Sequence, residues 1–206
     1  MVTYIIIGIT VVVSFYAWNN PSAMATFIMN PYRIHRRKEY FRLITSGFIH
    51  NDHMHLLFNM ISLYFFGIGV EHVFRGVFGS MGSVYYVALY LLAIVVSDIP
   101  TFLKNKDKSY YNSLGASGGV SAIVFAFIIF RPLADVCLFI FACLPGFIMG
   151  ALFVIFSYYQ GKKANDNINH EAHLYGGLFG LIFCIVVYPS SLSEFFEQVS
   201  QWNFLR

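Results

Sequence analysis

Charge is what this chain lacks most. Asp, Glu, Lys and Arg make up only 11% of its 206 residues, against about a quarter in a soluble domain. With 58% hydrophobic residues and a mean hydropathy of +0.65, this deficit excludes a soluble globular protein. It leaves an integral membrane protein. The net charge of +3 is small and scattered, so no nucleic-acid partner is expected. Cysteine is also scarce. Cys137, Cys143 and Cys184 all lie in apolar runs, and an odd number there fits packed thiols, not a disulfide framework. No internal repeat and no barrel-like strand alternation occurs, and spans must then be helices. No His-Glu-x-x-His element occurs either, which argues against a zinc protease.

Six apolar stretches are present, at Val2–Trp18, Leu56–Val73, Ser83–Ile99, Leu114–Phe130, Val136–Tyr158 and Ala172–Tyr188. Spanning a bilayer takes about 17–25 residues. The expected fold is therefore all-α, a polytopic membrane bundle of six transmembrane helices forming one domain over 1–206. The fourth stretch is short, so its first turn is expected below the membrane surface. The first stretch is read as a span. Ala23-Met24-Ala25 resembles a cleavage site, but no basic residue precedes the run and five more spans follow. Residues 19–53 form a long basic and aromatic first loop, expected to rest in the interface. Gln160–Glu171 is a polar connection, expected to act as a lid. The connections near Arg75 and Arg131 look tight. Residues 189–206 read as a short amphipathic tail.

Spans two, four and six begin on the same side of the membrane, and each begins with polar residues. Span two opens with His55, and Asn59 follows one turn later on the same face. Span four opens with Ser117 in Gly115-Ala116-Ser117-Gly118-Gly119, and span six opens with His173. Polar groups in spans mark function by default. In span six, His173, Gly176, Gly177 and Gly180 share one helical face. Gly115 and Gly119 offer a small-xxx-small face on span four. Such faces let backbones approach closely, which carries His173 toward Ser117. A serine needs a neighbouring base to become a nucleophile, and histidine suits that role. His55, Asn59 and the Ser117 backbone N–H are donors of the kind an oxyanion requires.

Arg42-Leu43-Ile44-Thr45, His50, His55-Leu56-Leu57-Phe58-Asn59, Gly115-Ala116-Ser117-Gly118 and Ala172-His173-Leu174-Tyr175-Gly176 together resemble the rhomboid family of intramembrane serine proteases. The resemblance covers the six-span core in the same motif order. It implies a Ser117–His173 dyad with no acidic third member, and an oxyanion hole of His55, Asn59 and the Ser117 backbone. It also implies transmembrane protein substrates met within the lipid bilayer, with no cofactor and no metal. Glu71 matches a structural acid of the second span. Arg42 matches the aromatic-Arg element of the first loop, with Phe41 where tryptophan is usual. Gly115, Gly176 and Gly180 are expected to support the site by packing. One departure stands out: where many rhomboids carry a tyrosine four residues after the nucleophile, packed on the catalytic imidazole, this chain has Ser121.

Other readings compete. Ser117 alone is a packing serine, and Asn59 alone a bridge between helices. His50, His53 and His55 invite a metal, but their spacing puts no three nitrogens on one helical face. Glu171 is two residues from His173, points elsewhere on a helix, and is expected in the loop, solvated. Pro145, Gly146 and Gly150 are read as places where span five bends. A client-binding protein on the same scaffold, or a small transporter, would use the same polar residues. Membrane orientation is where the observations pull apart. Arg33, Arg36, Arg37, Lys38, Arg42, Lys104, Lys106, Lys108, Lys162 and Lys163 lie at the end that holds the polar cluster. Arg75, Arg131 and Arg206 lie at the other. The positive-inside rule faces the site to the cytoplasm. The resemblance implies a cell (inner) membrane with the site opening to the extracytoplasmic side, and that expectation is the one adopted at this point.

Overall fold

The computed structural model describes residues 1–138, 142–163 and 169–203. A first long helix, α1 (Val2–Asn19), leads into three short ones, α2 (Pro21–Phe27), α3 (Pro31–Arg37) and α4 (Arg42–Thr45). Then come α5 (His53–Phe78), α6 (Gly82–Asn105) and α7 (Ser117–Phe130). A hairpin of β1 (Asp135–Leu138) and β2 (Ala142–Pro145) follows. The chain ends with α8 (Gly146–Lys163), α9 (His170–Val187) and α10 (Ser190–Ser200). Val2–Asn19, the His53–Asn105 stretch containing α5 and α6, and His170–Val187 are long and apolar enough to cross a membrane. Helix α7 has only 14 residues, a rise of about 21 Å against a hydrocarbon core of about 30 Å. The helix is thus shorter than the hydrocarbon core, as its short apolar stretch predicts.

Helix α7 is the centre of the bundle, packed by α5, α6 and α9, and most of its side chains are buried. In lipid no hydrophobic force drives helices together, so close backbone approach takes over. The faces in contact differ from those expected. Gly176 lies against the Gly118 main chain and Gly180 against that of Ala122, while Gly177 faces the Phe125 ring. Gly119 turns instead to Tyr90 and Ile94 of α6, and Gly115 to His55. The partner stripe on α7 is thus Gly118/Ala122, one turn apart.

Buried polar residues fix the outer elements. Glu71 is fully buried. It accepts the N–H groups of Val2 (2.8 Å) and Thr3 (3.0 Å), and the Thr3 hydroxyl (2.8 Å). It also pairs with Arg75 at 2.9 Å. A carboxylate at the start of α1 satisfies first-turn donors and complements the helix dipole. In the segment after α1, Asn20 and Asn30 cap α2 and α3 through Ala23 N–H and Arg33 N–H, each ahead of a proline. Arg42, 1% exposed, donates to the carbonyls of Ala25 (2.9 Å) and Ile28 (2.8 Å) and pairs with Glu39. That guanidinium holds Glu39 below the usual carboxylate range. The first loop is therefore a stapled, folded segment.

Three expectations need correction. The fifth helix begins at Gly146, ten residues later than hydropathy places it, because Asp135–Pro145 pairs with itself as the hairpin. The connection after Arg131 is accordingly not tight. Pro145 ends a strand and Gly146 opens α8, so neither bends a helix interior, and Gly150 packs on Ile128 and Phe125. Cys137 and Cys143 are directly opposite in the hairpin register and form a disulfide; Cys184 is a buried free thiol. The strand register brings together two thiols that composition alone treats as separate. Of the lid expected at Gln160–Glu171, residues 164–168 lie outside the described residues. Residues 160–163 are helical, Asn169 caps α9, and Glu171 sits in the first turn of α9, paired with Lys104 at 2.8 Å. In the tail, α10 packs on the bundle through buried Ser191, with Gln198 reaching the Phe130 carbonyl; 204–206 lie outside the described residues.

Candidate active site

The segment that delivers Ser117 is tied down on three sides. Met29 and Ser113 exchange both backbone hydrogen bonds, at 3.0 Å each. The Gly115 N–H donates to the Ser46 carbonyl at 2.9 Å. The Ala116 N–H donates to His50 Nε2 at 3.3 Å. The folded first loop thus sets the backbone just before α7. Gly115 has φ +122°, and a Cβ there would stand 2.6 Å from the His55 ring. Only glycine suits both conditions.

His50 is fully buried. Its Nε2 accepts from Ala116, so its Nδ1 carries the proton and donates to Ser14 Oγ at 3.0 Å. The Ser14 hydroxyl donates onward to the Phe48 carbonyl at 3.1 Å. Burial pushes the His50 imidazole down to about 3, so it is neutral in this role. His50 also meets the His55 ring edge-on, with centroids 4.9 Å apart. His53 lies against Trp18, with ring centroids 4.3 Å apart, and His55 turns toward Gly115.

Ser117 is the first residue of α7, where backbone N–H groups lack intrahelical partners and the dipole favours negative charge. It opens into a cavity of about 830 Å³ that is also lined by His55, Asn59, Ser121, Phe153 and His173. Four helices supply these residues. His55 is placed by Asp52, which caps α5 by accepting the His55 N–H at 2.8 Å; that bond holds Asp52 below the usual carboxylate range. Asn59 is buried and donates to the His55 carbonyl at 2.9 Å. His173 is placed by Asn169, whose Oδ1 accepts the Ala172 N–H at 3.1 Å and whose amide donates to Thr101 at 2.9 Å. One turn beyond His173, Gly176 seats on Gly118, the neighbour of Ser117. The sequence-predicted cluster Ser117, His173, His55 and Asn59 therefore shares one cavity. Glu71 and Arg42 lie outside it, under α1 and in the first loop.

A Rhomboid domain model matches residues 37–190. The chain belongs to the rhomboid family. This rhomboid is 33% identical over 148 residues to RHOMBOID-like protein 12, mitochondrial, of Arabidopsis thaliana, covering 68% of this chain and 44% of that protein. It is 33% identical over 105 residues to Rhomboid-like protein 14, mitochondrial, of the same plant, covering 47% and 29%. It is 28% identical over 200 residues to Rhomboid protein 1, mitochondrial, of Saccharomyces cerevisiae, covering 87% and 51%. The chain thus spans about half or less of the length of these curated relatives. Within this rhomboid, sequence reasoning missed Asp52, Asn169, Glu39 and Phe153. The first two carry a usable signal, Asp or Asn three residues before the N–H it caps at the head of an apolar run. Phe153 carries none, because it is one aromatic among 23 phenylalanines.

Proposed function

We propose that this rhomboid is an intramembrane serine endopeptidase acting on transmembrane segments of other membrane proteins. Ser117 is the nucleophile and His173 the general base and acid. The observation that carries this reading is the shared cavity: serine, histidine and two further donors from three separate helices line it together. Ser117 Oγ attacks the scissile carbonyl carbon while its proton passes to His173. His173 then returns that proton to the leaving amine as the C–N bond breaks. Water, deprotonated by the same imidazole, hydrolyses the acyl-enzyme. The developing oxyanion is met by His55, the Asn59 amide and the N–H groups at the start of α7, each donor contributing roughly a hundred- to a thousandfold in rate. Helical substrates hide their carbonyls, so segments with helix-breaking residues near the cut are favoured. The test is cleavage of a single-span model substrate by the protein in liposomes. Wild type cleaves and folded Ser117→Ala does not; cleavage by the variant ends the reading.

Family topology opens the site to the extracytoplasmic side. Two features of this chain favour the reverse. The Cys137–Cys143 disulfide lies past the far end of α7 from Ser117, and disulfides persist in oxidising compartments. The site's end also carries most of the basic residues, which stay on the cytoplasmic side. A reporter fused to the carboxyl terminus decides between the two orientations.

A further inference from the structure

A base works only if its lone pair points at the proton it takes, so the plane of the His173 ring must be fixed. On α7 the position four residues after Ser117 is Ser121, which faces the same cavity and has no ring to lay on an imidazole. A ring does lie there, and it comes from another helix. Phe153 of α8 stacks on His173, with centroids 6.3 Å apart and planes 20° from parallel. Phe125 of α7 meets Phe153 edge-on, at 5.6 Å and 60°. One turn along, Phe156 meets His170 edge-on at 5.9 Å, and His170 meets His173 at 5.9 Å. Two rings spaced i,i+3 on α8 therefore close on two imidazoles spaced i,i+3 on α9. Offset-parallel and edge-on pairs at these separations are the favoured aromatic geometries.

We propose that Phe153 is the positioning residue for His173, so that proton transfer at Ser117 depends on α8 being seated against α9. Helix α8 is well suited to make that dependence real. Leu152, Ile155, Phe156, Tyr158 and Tyr159 are all exposed, and a Cβ at Gly150 would first meet the side chains of Ile128 and Phe125. Movement of α8 away from the bundle takes the ring with it. The orienting group then leaves the base although Ser117, His55 and Asn59 stay in place.

The inference rests on the protease reading and is tested separately from it. Steady-state cleavage of the single-span substrate in liposomes is measured for Phe153→Ala, Phe153→Leu and Phe153→Tyr, with Ile155→Ala as a control on the exposed face. Loss of one aromatic contact corresponds to about tenfold in rate. Phe153→Ala and Phe153→Leu should each lose about tenfold in kcat with KM nearly unchanged, while Phe153→Tyr and Ile155→Ala stay within about twofold of wild type. Phe153→Leu keeps apolar bulk, so wild-type kcat in that variant overturns the proposal. So does a loss in both variants that falls wholly on KM. An inactive Ser117→Ala beside an unaffected Phe153→Leu leaves the protease reading standing and removes only the positioning role.

Discussion

A methyl group added at Gly176 tests the contact on which the site is built. In Gly176→Ala the new Cβ would stand 2.3 Å from the Gly118 carbonyl oxygen and 2.9 Å from its carbonyl carbon and Cα. All three atoms are main chain, so no rotamer relieves the clash. Ordinary contact begins at 3.4 Å, so α9 and α7 must part by about 1 Å at this point. Overpacking of this kind costs about 1–3 kcal/mol, which the bundle survives. The site does not escape so lightly. His173 is one turn before Gly176 and Ser117 is next to Gly118, so the displacement falls directly between them. A misplacement of about 1 Å costs around a hundredfold in rate. The assay is kcat on a single-span substrate in liposomes, with the thermal midpoint recorded for each variant. Gly177→Ala meets only Phe125 ring atoms, at 2.7 Å, and the ring can shift, so its loss should be smaller. Gly76→Ala meets nothing within 4 Å and should change nothing. Wild-type kcat in folded Gly176→Ala would refute the argument that this contact sets the Ser117–His173 geometry.

Three other outcomes follow from the same framework. Glu71→Ala leaves the Val2 and Thr3 donors without their carboxylate and Arg75 without its partner. It should cost about 2–3 kcal/mol of stability, read as a lower thermal midpoint with kcat per folded molecule preserved; an unchanged midpoint contradicts the capping role. Arg42→Lys loses the fork that joins Ala25, Ile28 and Glu39 and should speed limited proteolysis within residues 20–48, whereas equal cutting rates count against the staple. His50 drops from an ordinary value of 6.5 to about 3 because burial disfavours its charged form. The unfolded chain therefore takes up a proton first as pH falls below 6.5, and stability declines toward pH 3. Above the ordinary Glu value of 4.5 the lowered carboxylates contribute little, so the decline between pH 6.5 and 4.5 should be shallower in His50→Gln. Parallel slopes in that window would assign the effect elsewhere.

How much was legible in advance follows from what each feature depends on. His55 and Asn59 are one helical turn apart, and Ser117 and His173 each head an apolar run, so local spacing alone gathers them at one depth. The His173/Gly176/Gly180 face is also local, and it packs where its small residues allow. Its partner stripe is not local. Gly115 and Gly119 have the right spacing, but the positive φ at Gly115 turns it to His55, and Gly119 is used by α6. Hydropathy sees apolar content and not period, so Val136–Pro145 merged with the helix that follows. The Pro145-Gly146 pair marks the break, but in sequence it looks the same as a helix bend. The disulfide depends on the hairpin register, and the Phe153–His173 stack on which face of α8 meets α9; neither has a sequence signature. The shortness of α7 is legible from the length of its apolar stretch.

Activation of Ser117 by His173 is tested by treating the membrane-embedded protein with a fluorophosphonate and locating the adduct by mass spectrometry. The adduct should form on Ser117, disappear in Ser117→Ala, and be lost in folded His173→Ala. An unlabelled Ser117 in the wild type, or equal labelling when His173 is removed, would contradict it.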